Sequence, residues 1–184
     1  MTFSTRQMTV LALFAAIMCI VSPLSISIGP IPLTLATFVL YLTVAVLETS
    51  GTISITLYVL LGAVGLPVFS GAQGGLEKIL GPTGGYIVGY IPCAFIAGVI
   101  IEIFGKKKIA YPIAMVCGTV VLYALGTTWF IASNGINGNH YSIGAALMLC
   151  VVKFLPGDAI KIAAASALGI YLRKVLAKHK VALQ

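Results

Sequence analysis

What this sequence has least of is charge. Only 8% of its 184 residues are Asp, Glu, Lys or Arg, and the four acidic ones are Glu48, Glu77, Glu102 and Asp158. A soluble domain carries about 25% charged residues. With so few, a water-facing surface cannot be covered, and a soluble fold is excluded. The signatures of catalysis and nucleotide binding are missing as well. There is no GxxxxGK[ST] phosphate loop, no HExxH and no GxSxG. Two scattered histidines, His140 and His179, and four carboxylates supply neither a metal site nor a protease dyad. The four cysteines, Cys19, Cys93, Cys117 and Cys150, fall singly in apolar segments without a CxxC, which argues against a disulfide framework or a zinc site. They read as small buried apolar residues. These absences point to a protein that is not an enzyme and has no cofactor or metal of its own.

What is present is apolar sequence. Hydrophobic residues make up 60% of the chain, and the mean hydropathy is +1.11. A bilayer-spanning helix needs about 20 apolar residues. The length predicts an all-α integral membrane protein, a single transmembrane domain over 1–184 built as a bundle of six helices. The expected spans are Met8–Ile28, Leu33–Leu47, Thr52–Leu66, Tyr86–Phe104, Ile109–Ala132 and Asp158–Leu176. The first exceeds the ~7–15 residues of a signal-peptide core and reads as a retained helix. Between spans lie a GPIP turn (Gly29–Pro32), an ETSG turn (Glu48–Gly51) and a glycine-rich segment (Leu66–Tyr86). GKKK (Gly105–Lys108) follows the fourth span. A polar stretch (Ser133–Ser142) then leads to a short helix, Ile143–Val152, which ends at a Pro156-Gly157 break.

The net charge of +7 is placed as a topology signal rather than a nucleic-acid footprint. With both termini cytoplasmic, Arg6, Lys106, Lys107, Lys108, Arg173, Lys174, Lys178 and Lys180 lie inside, and Lys78, Lys153 and Lys161 lie outside. That asymmetry follows the positive-inside rule. On this topology the unusual chemistry gathers on the outer face.

Three features make it up. Asp158 and Lys161 share one helical face at i,i+3 spacing, at the outer end of the last span, and read either as a structural ion pair or as groups that face a cavity and hold a polar ligand at its outer mouth, since ionisable residues in spans usually mark such sites. GPTGGY (Gly81–Tyr86) reads as a helix start, with Thr83 as a possible cap. Its Gly84-Gly85 pair admits close backbone approach, and Tyr86 sits near outward-pointing amides that suit a carboxylate; the alternative is a turn needed only for packing. FSGAQGG (Phe69–Gly75), with Gln73 as donor and acceptor, reads as a lid or as a flexible loop. Glu48 and Glu102 fall near the inner ends of spans, where charge is cheap. Trp129 and Tyr141 read as interface aromatics. Ala12 and Ala16 form a small-xxx-small patch for close helix contact, within the chain or with a partner. Polar groups stop near one face, so the pattern describes a binding cup rather than a channel.

The segments Ile28–Phe38 (IGPIPLTLATF), Leu57–Tyr90 (LYVLLGAVGLPVFSGAQGGLEKILGPTGGYIVGY) and Phe154–Lys161 (FLPGDAIK) together resemble the BioY family, the biotin-specific S components of energy-coupling factor (ECF) vitamin transporters. The chain departs from the family pattern at Ala36, where Gln is usual, and at the ETSG turn. The resemblance implies a six-helix fold in a bacterial cell membrane that captures biotin from outside. It implies substrate-binding roles for Gln73, Gly74, Gly75, Gly84, Gly85, Tyr86, Asp158 and Lys161. The lipid bilayer is its setting, and the implied partners are a transmembrane coupling subunit and two ATP-binding subunits that hold all the ATP. Ala12 and Ala16 then read as the docking patch for the coupling subunit, and the whole S component is expected to topple in the bilayer to release its ligand. Other readings of the same residues are an S component for another small vitamin, a solitary proton-coupled carrier using Asp158, and a structural membrane subunit.

Overall fold

The computed structural model describes residues 4–27, 31–105, 107–136, 138 and 141–178. Gly29 and Pro30 of the expected turn, Lys106, His140, His179 and Lys180 lie outside the described residues. The chain is mostly helical. Helix α1 (Thr5–Val21) begins with a capping box, in which Gln7 N donates to Ser4 Oγ and Ser4 N donates to Gln7 Oε1. It stops short of the expected Ile28, because Pro23 has no N–H to continue the ladder. The next residues are extended. Strand β1 (Ser25–Ser27) pairs antiparallel with β2 (Pro32–Thr34), Ser25 opposite Thr34 and Ser27 opposite Pro32. The all-α expectation is corrected by this hairpin, which takes Leu33 out of the second helix. Thr34 Oγ1 then accepts from Ala36 N at 3.3 Å and starts α2 (Ala36–Leu47). Ala36 is fully buried there.

At Glu48 the backbone turns to φ 54°, and a 3-10 turn (Glu48–Ser50) leads into α3 (Gly51–Ala63). The chain reverses at this point. A Cβ on Gly51 would stand 3.2 Å from Thr43 Cγ2, whereas eight residues along one helix separate atoms by about 12 Å. A tight packing of two helices therefore depends on glycine at 51.

The segment after α3 is fastened. Phe69 is fully buried, edge-on to Tyr58 at 5.6 Å, and its ring fills the space beside Gly62, where a Cβ would meet it at 2.1 Å. Phe69 N donates to Gln73 O, Gly71 N to Pro23 O, and Gly75 N to Gly62 O. A short helix, α4 (Leu76–Leu80), follows. The segment is thus an anchored turn with its own helix.

Helices α5 (Gly84–Phe104) and α6 (Ala110–Ile136) form an antiparallel pair. Small residues allow it: Gly85 lies against Trp129, Gly118 against Cys93, and Gly126 under the Tyr86 ring. Pro92 sits inside α5. After α7 (Ile143–Leu147) and a π-helical turn (Met148–Val152), the chain re-enters a helix, α8 (Leu155–Lys178). The break expected at Pro156-Gly157 falls two residues earlier, because proline is tolerated in a first helical turn, where its missing N–H has no partner to lose.

Four stretches, Ala36–Ala63, Gly84–Phe104, Ala110–Ile136 and Ile143–Leu176, are long and apolar enough to cross a membrane by length and composition; Thr5–Val21 is a shorter apolar helix. The first of them is folded back on itself at Glu48. Large apolar side chains such as Val120 and Ile160 stand exposed on the outside of the bundle, as lipid-facing positions require.

Helices α2 and α8 lie side by side, Gly169 close against Ala45. They are joined at one end by Thr37 with Asp158 and at the other by Glu48 with Arg173. Glu48 is therefore not a cheap surface charge. It is buried and ion-paired with Arg173, whose guanidinium also donates to Tyr111 Oη. Removing one partner of a buried pair leaves the other charge uncompensated, at about 3–5 kcal/mol; the Arg173 side chain is 27% exposed, which lowers the expectation to about 2–4. Arg173→Ala should lower the unfolding free energy in detergent by that amount. The double variant Glu48→Gln/Arg173→Met should recover at least half of it.

Candidate functional site

The first turn of α8 presents Asp158, whose amide is held by Phe154 O at 2.9 Å. Its side chain is 7% exposed and the carboxylate is not left bare. Lys161 Nζ donates to Oδ1 at 3.0 Å, Thr37 Oγ1 donates to Oδ1 at 3.4 Å, and Tyr123 Oη donates to Oδ2 at 2.5 Å. Lys161 Nζ also donates to Thr37 Oγ1 at 3.0 Å. Three helices, α2, α6 and α8, thereby meet at one charge.

These groups floor a cavity of about 620 Å³, counting its open mouth, lined on its sides by Tyr58, Tyr86, Tyr90 and Leu122. Pockets for small ligands combine an apolar lining with a few placed polar groups, and this lining has that character. The tyrosines are fixed at their polar ends. Tyr58 Oη shares a 2.6 Å hydrogen bond with Ser22 Oγ, and Tyr86 Oη lies 3.2 Å from Thr127 Oγ1 and donates to Cys150 O. Their rings are left as the walls. Strand β2 and Ser70 border the same space.

The capacity left at the floor can be counted. An ionised carboxylate has about four acceptor positions and an ammonium three donors. Asp158 has accepted three bonds and Lys161 has given two. Among the described residues, one acceptor and one donor remain.

The structure separates the sequence-derived candidates. Asp158, Lys161 and Tyr86 line the cavity together. Gln73 and Gly74 line a neighbouring depression, which shares Thr83 with the cavity. Gly75 is positioned by its bond to Gly62 O and has φ 91°. Gly84 and Gly85 face protein: a Cβ on Gly84 would fall 1.5 Å from Ile79 O, and one on Gly85 2.2 Å from Trp129 Cβ. Thr83 makes no side-chain cap, and the amides of Gly84, Tyr86 and Ile87 are already bonded to Gly81 O and Thr83 O. The helix start therefore keeps few donors for a carboxylate. Ala12 and Ala16 are both exposed on α1, so they do not pack within the chain. Trp129 donates its indole N–H to Gly81 O at 3.0 Å, and the Tyr141 ring lies 5.2 Å from Phe130.

Thr37, Tyr123, Tyr58 and Tyr90 were not singled out by sequence. The available signal was tyrosine in the middle of apolar spans, away from the interfaces where it is common: a buried phenol needs a partner.

A mostly helical membrane protein with a tyrosine-walled cavity and a paired charge at its floor is the class that this geometry defines. Comparison narrows it. The family model described as the BioY family matches residues 1–178. A probable biotin transporter BioY of Pyrococcus horikoshii is 38% identical over 161 residues, covering 87% of this chain and 91% of the relative. The biotin transporter BioY of Thermotoga maritima is 37% identical over 172 residues, covering 92% and 97%. A crystal structure of the S-component for biotin from an ECF-type ABC transporter superposes with a TM-score of 0.84 at 26% identity, covering 94% of this chain and 95% of that one. The chain belongs to the BioY family.

Tyr123→Phe removes one hydrogen bond to a buried charge, a loss of about 1.5–3 kcal/mol. It should lower the detergent melting temperature measurably, while Tyr171→Phe, on the exposed side of α8, should leave it unchanged.

Proposed function

We propose that this chain is the high-affinity biotin-binding S component of an ECF-type vitamin uptake transporter. The observation that carries the reading is the floor of the cavity. One free acceptor on Asp158 beside one free donor on Lys161 complements a ligand that offers an N–H next to a C=O. The ureido ring of biotin has that pattern. Charge-assisted bonds of this kind are roughly twice as strong as neutral ones. The tyrosine walls suit the fused apolar rings. Asp158, Lys161 and Tyr86 contact ligand in this reading, and Gln73 with Gly74 borders its exit. Gly75, Gly84 and Gly85 support the rim.

The protein acts as a receptor and catalyses nothing. A transmembrane coupling subunit and two ATP-binding subunits supply the energy, and all the ATP is bound there. The exposed Ala12–Ala16 face of α1 is the docking patch for the coupling subunit. The chain crosses a bacterial cell membrane six times, by α1, α2, α3, α5, α6 and α8, with both termini in the cytoplasm and the cavity facing outward. Toppling of the whole domain delivers the ligand.

Asp158→Asn and Lys161→Ala should each weaken biotin binding to the purified chain in detergent by about 2–5 kcal/mol, as truncating one partner of a buried charge pair does. Wild-type affinity in both variants would sink the assignment. Excess biotin should displace the ligand, and thiamine and riboflavin should not. Tags at both termini should be cleaved by protease in inside-out vesicles and protected in right-side-out ones; cleavage of one tag in each preparation would mean an odd number of crossings.

A further inference from the structure

The depression beside the cavity is polar where the cavity is aromatic. Gln73, Gly74, Glu77, Lys78, Gly81 and Pro82 line it, and Thr83 belongs to both spaces. Its walls are preformed. Gly74 lies so close to Leu66 O that a Cβ would meet it at 2.1 Å, and Gly75 N is bonded to Gly62 O at 2.7 Å. Gly81 is held twice, its N–H by Glu77 O and its carbonyl by the Trp129 indole.

Charge balance gives this depression a task. At the cavity floor Asp158 and Lys161 neutralise each other at 3.0 Å. A ligand carrying an anionic tail adds a negative charge that this pair does not offset. Among the described residues that line either space, the one other cation is Lys78. Lys78 is half-buried and has no ion-pair partner among the described residues. Its partial burial holds its ammonium below the ordinary lysine range, the mark of a cation short of solvent. The other charge on the rim, Glu77, is exposed and makes no ion pair among the described residues.

We propose that Lys78 is the specificity determinant for the anionic tail of the ligand: the tail leaves the cavity past Thr83, and its carboxylate pairs with the Lys78 ammonium. The chain then prefers a free acid to the corresponding amide. This rests on the reading of the cavity as a biotin site, and it adds a residue that neither the floor nor the walls include.

The test compares biotin with its uncharged primary amide on the wild-type chain, on Lys78→Gln and on Lys161→Ala, by equilibrium binding in detergent. Wild type should favour the acid about tenfold, the scale of one charge-assisted bond. Lys78→Gln should lose that preference by weakening the acid alone, and Lys78→Arg should retain it. Lys161→Ala should weaken both ligands alike. If Lys78→Gln shifts acid and amide by the same factor, or shifts neither, the role of Lys78 is overturned while the cavity reading stands. If folded wild-type protein binds neither ligand, the cavity reading fails and the Lys78 proposal falls with it.

Discussion

The cavity end of this molecule is organised around one buried carboxylate, that of Asp158. An unpaired charge there would cost more than a small bundle's whole stability, so Asp158 must be surrounded by donors. It recruits them from three helices, Thr37 from α2, Tyr123 from α6 and Lys161 from its own turn of α8. The requirement is electrostatic, but its result is geometric. Helices that have no hydrophobic reason to prefer one another in lipid are fixed in register by a shared charge. The same arrangement leaves the floor one bond short on each side, and in the proposed function that shortage is what recognises a solute.

Around this centre the other devices follow a division of labour. Glycines at 51, 62, 85, 118 and 126 remove Cβ atoms where backbone or ring must approach. They let α3 meet α2, Phe69 sink beside α3, and α5 lie along α6. Tyrosines line the cavity and anchor their hydroxyls to protein, so that only their rings remain for a ligand. At the far end a second buried pair, Glu48 with Arg173, closes the α2–α3 reversal against α8. Only this second pair ties a turn to α8; Asp158 and Lys161 both belong to α8 itself.

The sequence was legible where composition and spacing carry the physics. Few charges and long apolar runs defined a membrane helical protein, and the i,i+3 spacing of Asp158 and Lys161 defined a pair on one face. The motifs GLPVF, GPTGGY and LPGD-x-x-K were enough to recognise the family. Less was legible where tertiary contact decides. Residues 25–34 read as the end of a helix and a turn, because pairing of β1 with β2 has no local signal in three-residue strands. Gly84 and Gly85 read as room for a ligand, but what fills that room is Ile79 and Trp129, which are distant or unmarked in sequence. Phe69 read as part of a lid or a flexible loop, since nothing local announces that Gly62 has made space for its ring. Thr37 and Tyr123 were silent because their importance comes wholly from Asp158, 121 and 35 residues away.

The shortness of α2 has a consequence for where the solute rests. Twelve residues give a rod of about 18 Å, against a hydrocarbon core of about 30 Å. The strand Pro32–Thr34 continues the crossing, with its backbone groups answered by β1. Non-helical backbone is tolerated at membrane depth where it borders a cavity, and here it does. The proposed topology sets the Glu48 turn at one face of the hydrocarbon, and Thr37 and Asp158 are then below the opposite face by about the 10 Å that three extended residues span. On the proposed topology and function, a ligand at this floor rests roughly a third of the way through the hydrocarbon.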